Sequence, residues 1–151
     1  MSIILSPVAF VFNDRNVAVD DNWANIVSTI ELADGLPDEV LDGIESFSHL
    51  DIIYFFDKVE PQEIKTAGHP RGNKNYPKMG IFAQRKKDRP NTIGLCRVEL
   101  ISHKGRTITV KYLDAINGTP ILDIKPVFRE FEQQSEIQQP DWVADLMKNY
   151  W

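Results

Sequence analysis

The feature that most constrains this chain is a series of short β-branched and aromatic runs, each ended by Gly, Pro or Asp, with little helical period between them. Such runs predict strands. They are Ile26 to Leu32, Leu50 to Phe56, Met79 to Gln84, Ile93 to Ser102, Thr107 to Leu113 and Ile121 to Ile124. Ile3 to Phe12 adds a seventh, with Pro7 restricting it to an edge or a bulge. Leu50 to Phe56 is apolar apart from Asp51, which predicts that both of its faces are covered. His103-Lys104-Gly105-Arg106 reads as a hairpin turn, and Asn117-Gly118 as a second, because both residues tolerate positive φ. Helix is expected only at Pro37 to Leu41 and after Pro140, where Trp142, Leu146 and Tyr150 fall on one helical face. The fold class is therefore mainly β: a small, mostly antiparallel β-barrel with a few short helices, one of them C-terminal, in a single domain over residues 1–151.

Composition fits a globular domain, with 42% hydrophobic and 26% charged residues. A net charge of −5 would argue against a nucleic-acid partner, but the charge is unevenly spread. Residues 1–64 carry two Lys or Arg against 13 acids, and residues 65–111 carry 12 against two. The basic middle either faces an anion or pairs with the acidic flanks once the chain folds. Ile3, Ile4 and Leu5 are too few and too poorly flanked for a secretory signal, and no apolar run approaches the roughly 20 residues of a membrane span. The expected location is cytoplasmic, with no membrane partner.

Several chemistries lack their motif. The eight glycines never form Gly-x-Gly, and no Gly-rich run ends in Gly-Lys-Ser/Thr. His49, His69 and His103 are too far apart for metal-ligand spacing, so no metal is expected. Cys96 shares a predicted strand face with Val98 and Leu100, the setting of a buried structural thiol. Three segments remain. His69 to Lys78 is a donor-rich, proline-stiffened stretch within the irregular Ala67 to Lys78. Gln84 to Asn91 holds four cations in five positions, too many for Asp88 alone. Leu113 to Pro126 surrounds the Asn117-Gly118 turn, which a plain hairpin would explain.

The run Met79-Gly80-Ile81-Phe82-Ala83-Gln84-Arg85 … Arg89-Pro90-Asn91-Thr92-Ile93-Gly94 resembles the signature of the TsaA-like (YaeB-like) family. Phe47-Ser48-His49-Leu50 upstream resembles another of its blocks, as does Leu113-Asp114 … Gly118-Thr119-Pro120 … Asp123-Ile124-Lys125-Pro126 downstream. The blocks stand in family order from Phe47 to Pro126. Pro140-Asp141-Trp142 … Leu146-Met147 … Tyr150-Trp151 is similar to the end of short family members. The resemblance implies a β-barrel homodimer that binds S-adenosyl-L-methionine without a Rossmann fold. It further implies methylation of N6 of threonylcarbamoyladenosine beside the tRNA anticodon; no DNA partner is expected.

By the same resemblance, cofactor contacts fall on Phe56, Asp57, Lys58, Arg85, Leu95 and the loop Ala115, Ile116, Asn117 and Gly118. Asp57 suits ribose hydroxyls, and Arg85 suits the carboxylate of the cofactor's methionine end. Asp114 or the Asn117 amide oxygen is placed to take the amine proton. Arg71, Lys74, Lys86, Lys87, Arg89 and Asn91 are the expected RNA contacts, with Tyr76 for base stacking. The chain departs from the tRNA-modifying branch in three places. No Pro-Arg-Gln stands between Asn13 and Ile26, Asp57-Lys58 replaces His-Gln, and Asn117 replaces Asp. Two alternatives stay open here: the same cofactor site serving a small-molecule or protein acceptor, and a non-catalytic module that binds cofactor or RNA.

Overall fold

A computed structural model describes residues 1–151. Six strands form a closed antiparallel barrel: β1 (Ala9–Phe12), β2 (Val27–Leu32), β3 (His49–Phe55), β6 (Ile93–Lys104), β7 (Thr107–Lys111) and β8 (Pro120–Pro126). Around the barrel the order is β1-β2-β7-β6-β3-β8, and β8 returns to β1 through Ala9↔Ile121 and Phe10↔Pro120. Closure pairs every edge, which is how a small all-β domain avoids an open ladder. Two short strands, β4 (Ala67–Gly68) and β5 (Met79–Gly80), form a separate ribbon. One α-helix, α1 (Asp141–Leu146), lies near the C-terminus, and no helix is long and apolar enough to cross a membrane.

Alternation fills the barrel. Val11, Ile30, Leu50, Ile52, Val98, Ile108, Val110 and Ile121 point inward and are almost fully buried. Leu41, in a 3-10 turn, joins the core before β3, while Leu113 and Ala115 join it beyond the end of β7. Truncating one of these central side chains, Leu50 for example, costs about 2–5 kcal/mol. The thiol of Cys96 is buried in the same core, which pushes its pKa up, and it donates to the Tyr112 carbonyl at 2.9 Å.

The strand runs are found close to their expected places, with five differences. Leu50, Ile52 and Tyr54 of β3 are buried, but Phe55 is 39% exposed: the strand of a single-layer barrel has one face in the core and one outside. Ile3 to Pro7 is not strand; β1 starts at Ala9, where its ladder to β2 and β8 begins. After Gly80 the predicted strand to Gln84 becomes a 3-10 turn that buries Ile81. The irregular stretch Ala67 to Lys78 includes β4, which finds its partner in β5. Asn117-Gly118 is a turn with Gly118 at φ +84°, but not a hairpin. It lies in a crossing from β7, paired with β2 and β6, to β8, paired with β1 and β3. Gly105, at φ +56°, does turn the β6–β7 hairpin.

Candidate active site

Four family-block segments meet at one end of the barrel: the end of β3, the start of β6, the chain beyond β7, and the stretch around Arg85. Tyr54 is the last buried residue of β3 and faces Gly94 across the sheet. Its phenol donates to Asp114 Oδ1 at 2.6 Å. Tyr150, from the segment after α1, donates to Asp114 Oδ2. Both carboxylate oxygens are therefore held by phenols from distant parts of the chain. Burial, then the neighbouring Asp114 charge, pushes the hydroxyls of Tyr54 and Tyr150 well above their ordinary pKa. Both phenols thus stay protonated as donors.

The tail that delivers Tyr150 is tied down by main-chain bonds, Asn22 N–H to Asn149 O at 2.9 Å and Trp23 N–H to Tyr150 O at 2.8 Å. Trp151 packs edge-to-face on Tyr150 and Tyr112, with ring centroids 5.0 and 5.8 Å apart. Tyr112 sits at φ +66°, an uncommon conformation for a bulky residue and the bend that turns the chain from β7 toward Asp114.

Arg85 donates to the Leu95 carbonyl at 2.7 Å and has no carboxylate partner. Leu95 follows Gly94, which faces Tyr54 across the sheet, so this bond holds Arg85 on the strand beside the Asp114 cluster. Leu95 is 48% exposed, and the Phe56 ring packs edge-to-face on Tyr54 at 5.2 Å. Asp57 and Lys58 pair with each other at 2.9 Å.

Ala115 to Gly118 is locked to the loop after β1. Asn13 Nδ2 donates to Ala115 O and to the buried Ser28 Oγ, each at 2.9 Å. Asn117 N–H bonds Arg15 O at 2.7 Å, Gly118 N–H bonds Val11 O at 2.7 Å, and the Asn117 side-chain amide bonds Asn16 at 3.1 Å. Asn117 Oδ1 accepts from Asn13 N–H at 3.3 Å. Asp114 and Asn117 thus belong to two different hydrogen-bond networks. Ile116 carries Thr119: its carbonyl accepts from the Thr119 N–H and hydroxyl.

Of the expected RNA contacts, several are engaged within the fold. Arg71 forks onto Asp21 at 2.7 and 3.2 Å. The Tyr76 phenol bonds Asp145 at 2.5 Å and its ring packs on Trp142 at 6.0 Å. Lys86 pairs with Asp88 at 3.3 Å, and Arg89 donates to the Gln84 carbonyl at 2.8 Å. Lys74, Lys87 and Asn91 are exposed, and neither lysine has an acidic partner. Arg97 with Asp51 and Glu132, and Arg106 with Asp38, likewise join the basic middle to the acidic flanks.

The sequence reading missed Tyr54, Tyr150 and Asn13. Tyr54 was legible only as an inward strand position and Tyr150 only as part of an apolar helical face. Nothing local announced Asn13.

A family model described as the tRNA-methyltransferase O N-terminal domain matches residues 16–133. The chain belongs to that family. The tRNA-methyltransferase O match agrees with the resemblance carried by the motif blocks. An S-adenosyl-L-methionine-binding protein of Archaeoglobus fulgidus is 33% identical over 144 residues, 91% of this chain and 100% of that protein. The human tRNA (adenine(37)-N6)-methyltransferase is 36% identical over 113 residues, 75% of this chain but 25% of that protein. A solved structure of TrmO from Pseudomonas aeruginosa superposes with a TM-score of 0.76 at 22% identity, covering 94% of this chain and 62% of that one. That superposition establishes the shared barrel fold. The chain thus spans a quarter of the human relative and about three fifths of the solved one.

Proposed function

We propose that this barrel is an S-adenosylmethionine-dependent methyltransferase acting on N6 of the adenosine beside a tRNA anticodon, with threonylcarbamoyladenosine as the acceptor. The observation that carries the reading is Arg85. It is a guanidinium with no carboxylate of its own, fixed on the Leu95 carbonyl beside the Asp114–Tyr54–Tyr150 cluster. The names borne by the relatives support the same reading.

The residues suit the cofactor. Arg85 offers a planar fork for a carboxylate. Phe56 and the half-exposed Leu95 offer apolar surface, and Asp57 offers a carboxylate for ribose hydroxyls. Main-chain groups of Ala115 to Gly118 border the same end of the barrel. When bound, S-adenosylmethionine supplies a methyl group made electrophilic by its sulfonium sulfur. What remains for the protein is alignment and proton handling. Asp114, held in one orientation by two phenols, is the group that takes the proton of the amine.

A homodimer belongs to the same proposal. Phe55 and Ile93 are cross-strand partners on the outside of the barrel, each 39% exposed, an apolar pair suited to a second copy. A tRNA acceptor also implies work in the cytoplasm.

The test is incubation of the purified protein with S-adenosylmethionine and bulk tRNA, followed by nucleoside mass spectrometry. The expected product is N6-methylated threonylcarbamoyladenosine. Methyl incorporation only into a small molecule or protein would replace the acceptor, and cofactor binding without any incorporation would leave a sensing module instead.

A further inference from the structure

We propose that Tyr150 and Trp151 form the subsite for the acceptor base: Trp151 stacks on the purine, and Tyr150 relays the proton of its amine to Asp114. This rests on the methyltransferase reading above and assigns its acceptor half.

An unpaired base needs an aromatic surface. Tyr76 is already held by Asp145 and Trp142. Trp151 is 50% exposed, and edge-to-face contacts with Tyr112 and Tyr150 fix its orientation. The main-chain bonds from Asn22 and Trp23 hold the preceding residues in place, so little ordering cost remains when a base binds. Positive charge lies close by: Lys111 Nζ is 5.6 Å from the Tyr112 ring centre, and Arg85 is held on the Leu95 carbonyl, next in sequence to the Gly94 that faces Tyr54. That setting suits the phosphates flanking a splayed nucleotide.

The two phenols on Asp114 are not equivalent. Tyr54 is 2% exposed and sealed in the barrel, whereas Tyr150 is only partly buried. Substrate can therefore reach Asp114 through Tyr150. As the amine nitrogen bonds the methyl carbon, the carbon–sulfur bond breaks with its electron pair going to sulfur. The nitrogen then sheds a proton to the Tyr150 oxygen while the Tyr150 proton passes to Asp114 Oδ2. Asp114 ends neutral and later releases that proton to solvent.

The test compares wild type with W151A, W151F and Y150F in the full chain. W151A should raise the KM for tRNA about tenfold or more, with W151F recovering most of it. Y150F should lower kcat at unchanged KM for tRNA and alter the pH profile of kcat. Cofactor affinity by calorimetry should be unchanged in all three. A wild-type KM in W151A, a wild-type kcat in Y150F, or cofactor affinity falling in step with turnover would overturn the subsite. If the wild type methylates nothing, the methyltransferase reading and the relay both fall. The stack is then judged by quenching of tryptophan fluorescence with an oligoadenylate: quenching lost in W151F supports it, and quenching retained in W151F overturns it.

Discussion

Tyr54 and Gly94 face each other across β3 and β6 so closely that a Cβ on Gly94 would stand 2.5 Å from two carbons of the Tyr54 ring. The ring has little room to retreat. It is buried, its hydroxyl is fixed on Asp114, and Phe56 presses on the same spot, 3.0 Å from that Cβ. Gly94→Ala should therefore cost about 1–3 kcal/mol of stability by overpacking. Urea unfolding reads it, and turnover should fall with it as Tyr54 is pushed off Asp114. An unchanged unfolding midpoint would mean that the ring yields freely.

Arg85 has no ion-pair partner whose loss would destabilise the fold. Arg85→Ala should then leave the melting temperature nearly unchanged while lowering S-adenosylmethionine affinity at least about tenfold by calorimetry. Arg85→Lys should recover only part of it, because an ammonium lacks the planar fork. Full affinity in the alanine variant would remove Arg85 from the site.

His103 gives a pH signature far from that end of the barrel. Its two ring nitrogens face acceptors, Gly105 O at 2.9 Å and Glu45 at 3.1 Å, which favours the charged ring and raises its pKa. Glu45 is held below its ordinary value by a main-chain bond and by His103. The raised His103 stabilises below the ordinary histidine value and loses that contribution as pH rises through its folded value. The lowered Glu45 stabilises above its ordinary carboxylate value and loses its share as pH falls through its folded value. Wild type should therefore exceed His103→Gln in urea midpoint most at about pH 5.5 and converge with it by about pH 9. A gap that persists in alkali would contradict the charge pairing.

Lys74 and Lys87 are exposed expected RNA contacts without an acidic partner, whereas Lys86 is shared with Asp88 and Arg89 is held on the Gln84 carbonyl. Replacing Lys74 and Lys87 by alanine should weaken tRNA binding most at low salt. The slope of log affinity against log salt should fall by about 1.4 for two single-strand phosphate contacts. An unchanged slope would place the RNA on another face.

The sequence by itself determined the parts. β-branched runs and their breakers marked the strands, alternation identified Cys96 and Val98 as core, and Gly105 fixed a hairpin. Motif blocks marked Arg85, Asp114 and the loop through Gly118. These are short-range signals, written in neighbouring residues whose φ, ψ and burial preferences act locally. Only the tertiary structure decided what lay between distant residues. It closed β8 onto β1, made the Asn117-Gly118 turn a crossing rather than a hairpin, and brought Tyr54 and Tyr150, 60 and 36 residues away, onto Asp114. It also paired Arg71, Arg97 and Arg106 of the basic middle with acids of the flanks, while Arg85, Lys74, Lys87 and Arg89 are among the cations left without an acidic partner. The physical reason is range. A strand run declares itself within a few residues, but which carboxylate meets which phenol or cation depends on barrel order and register, set by all six strands together.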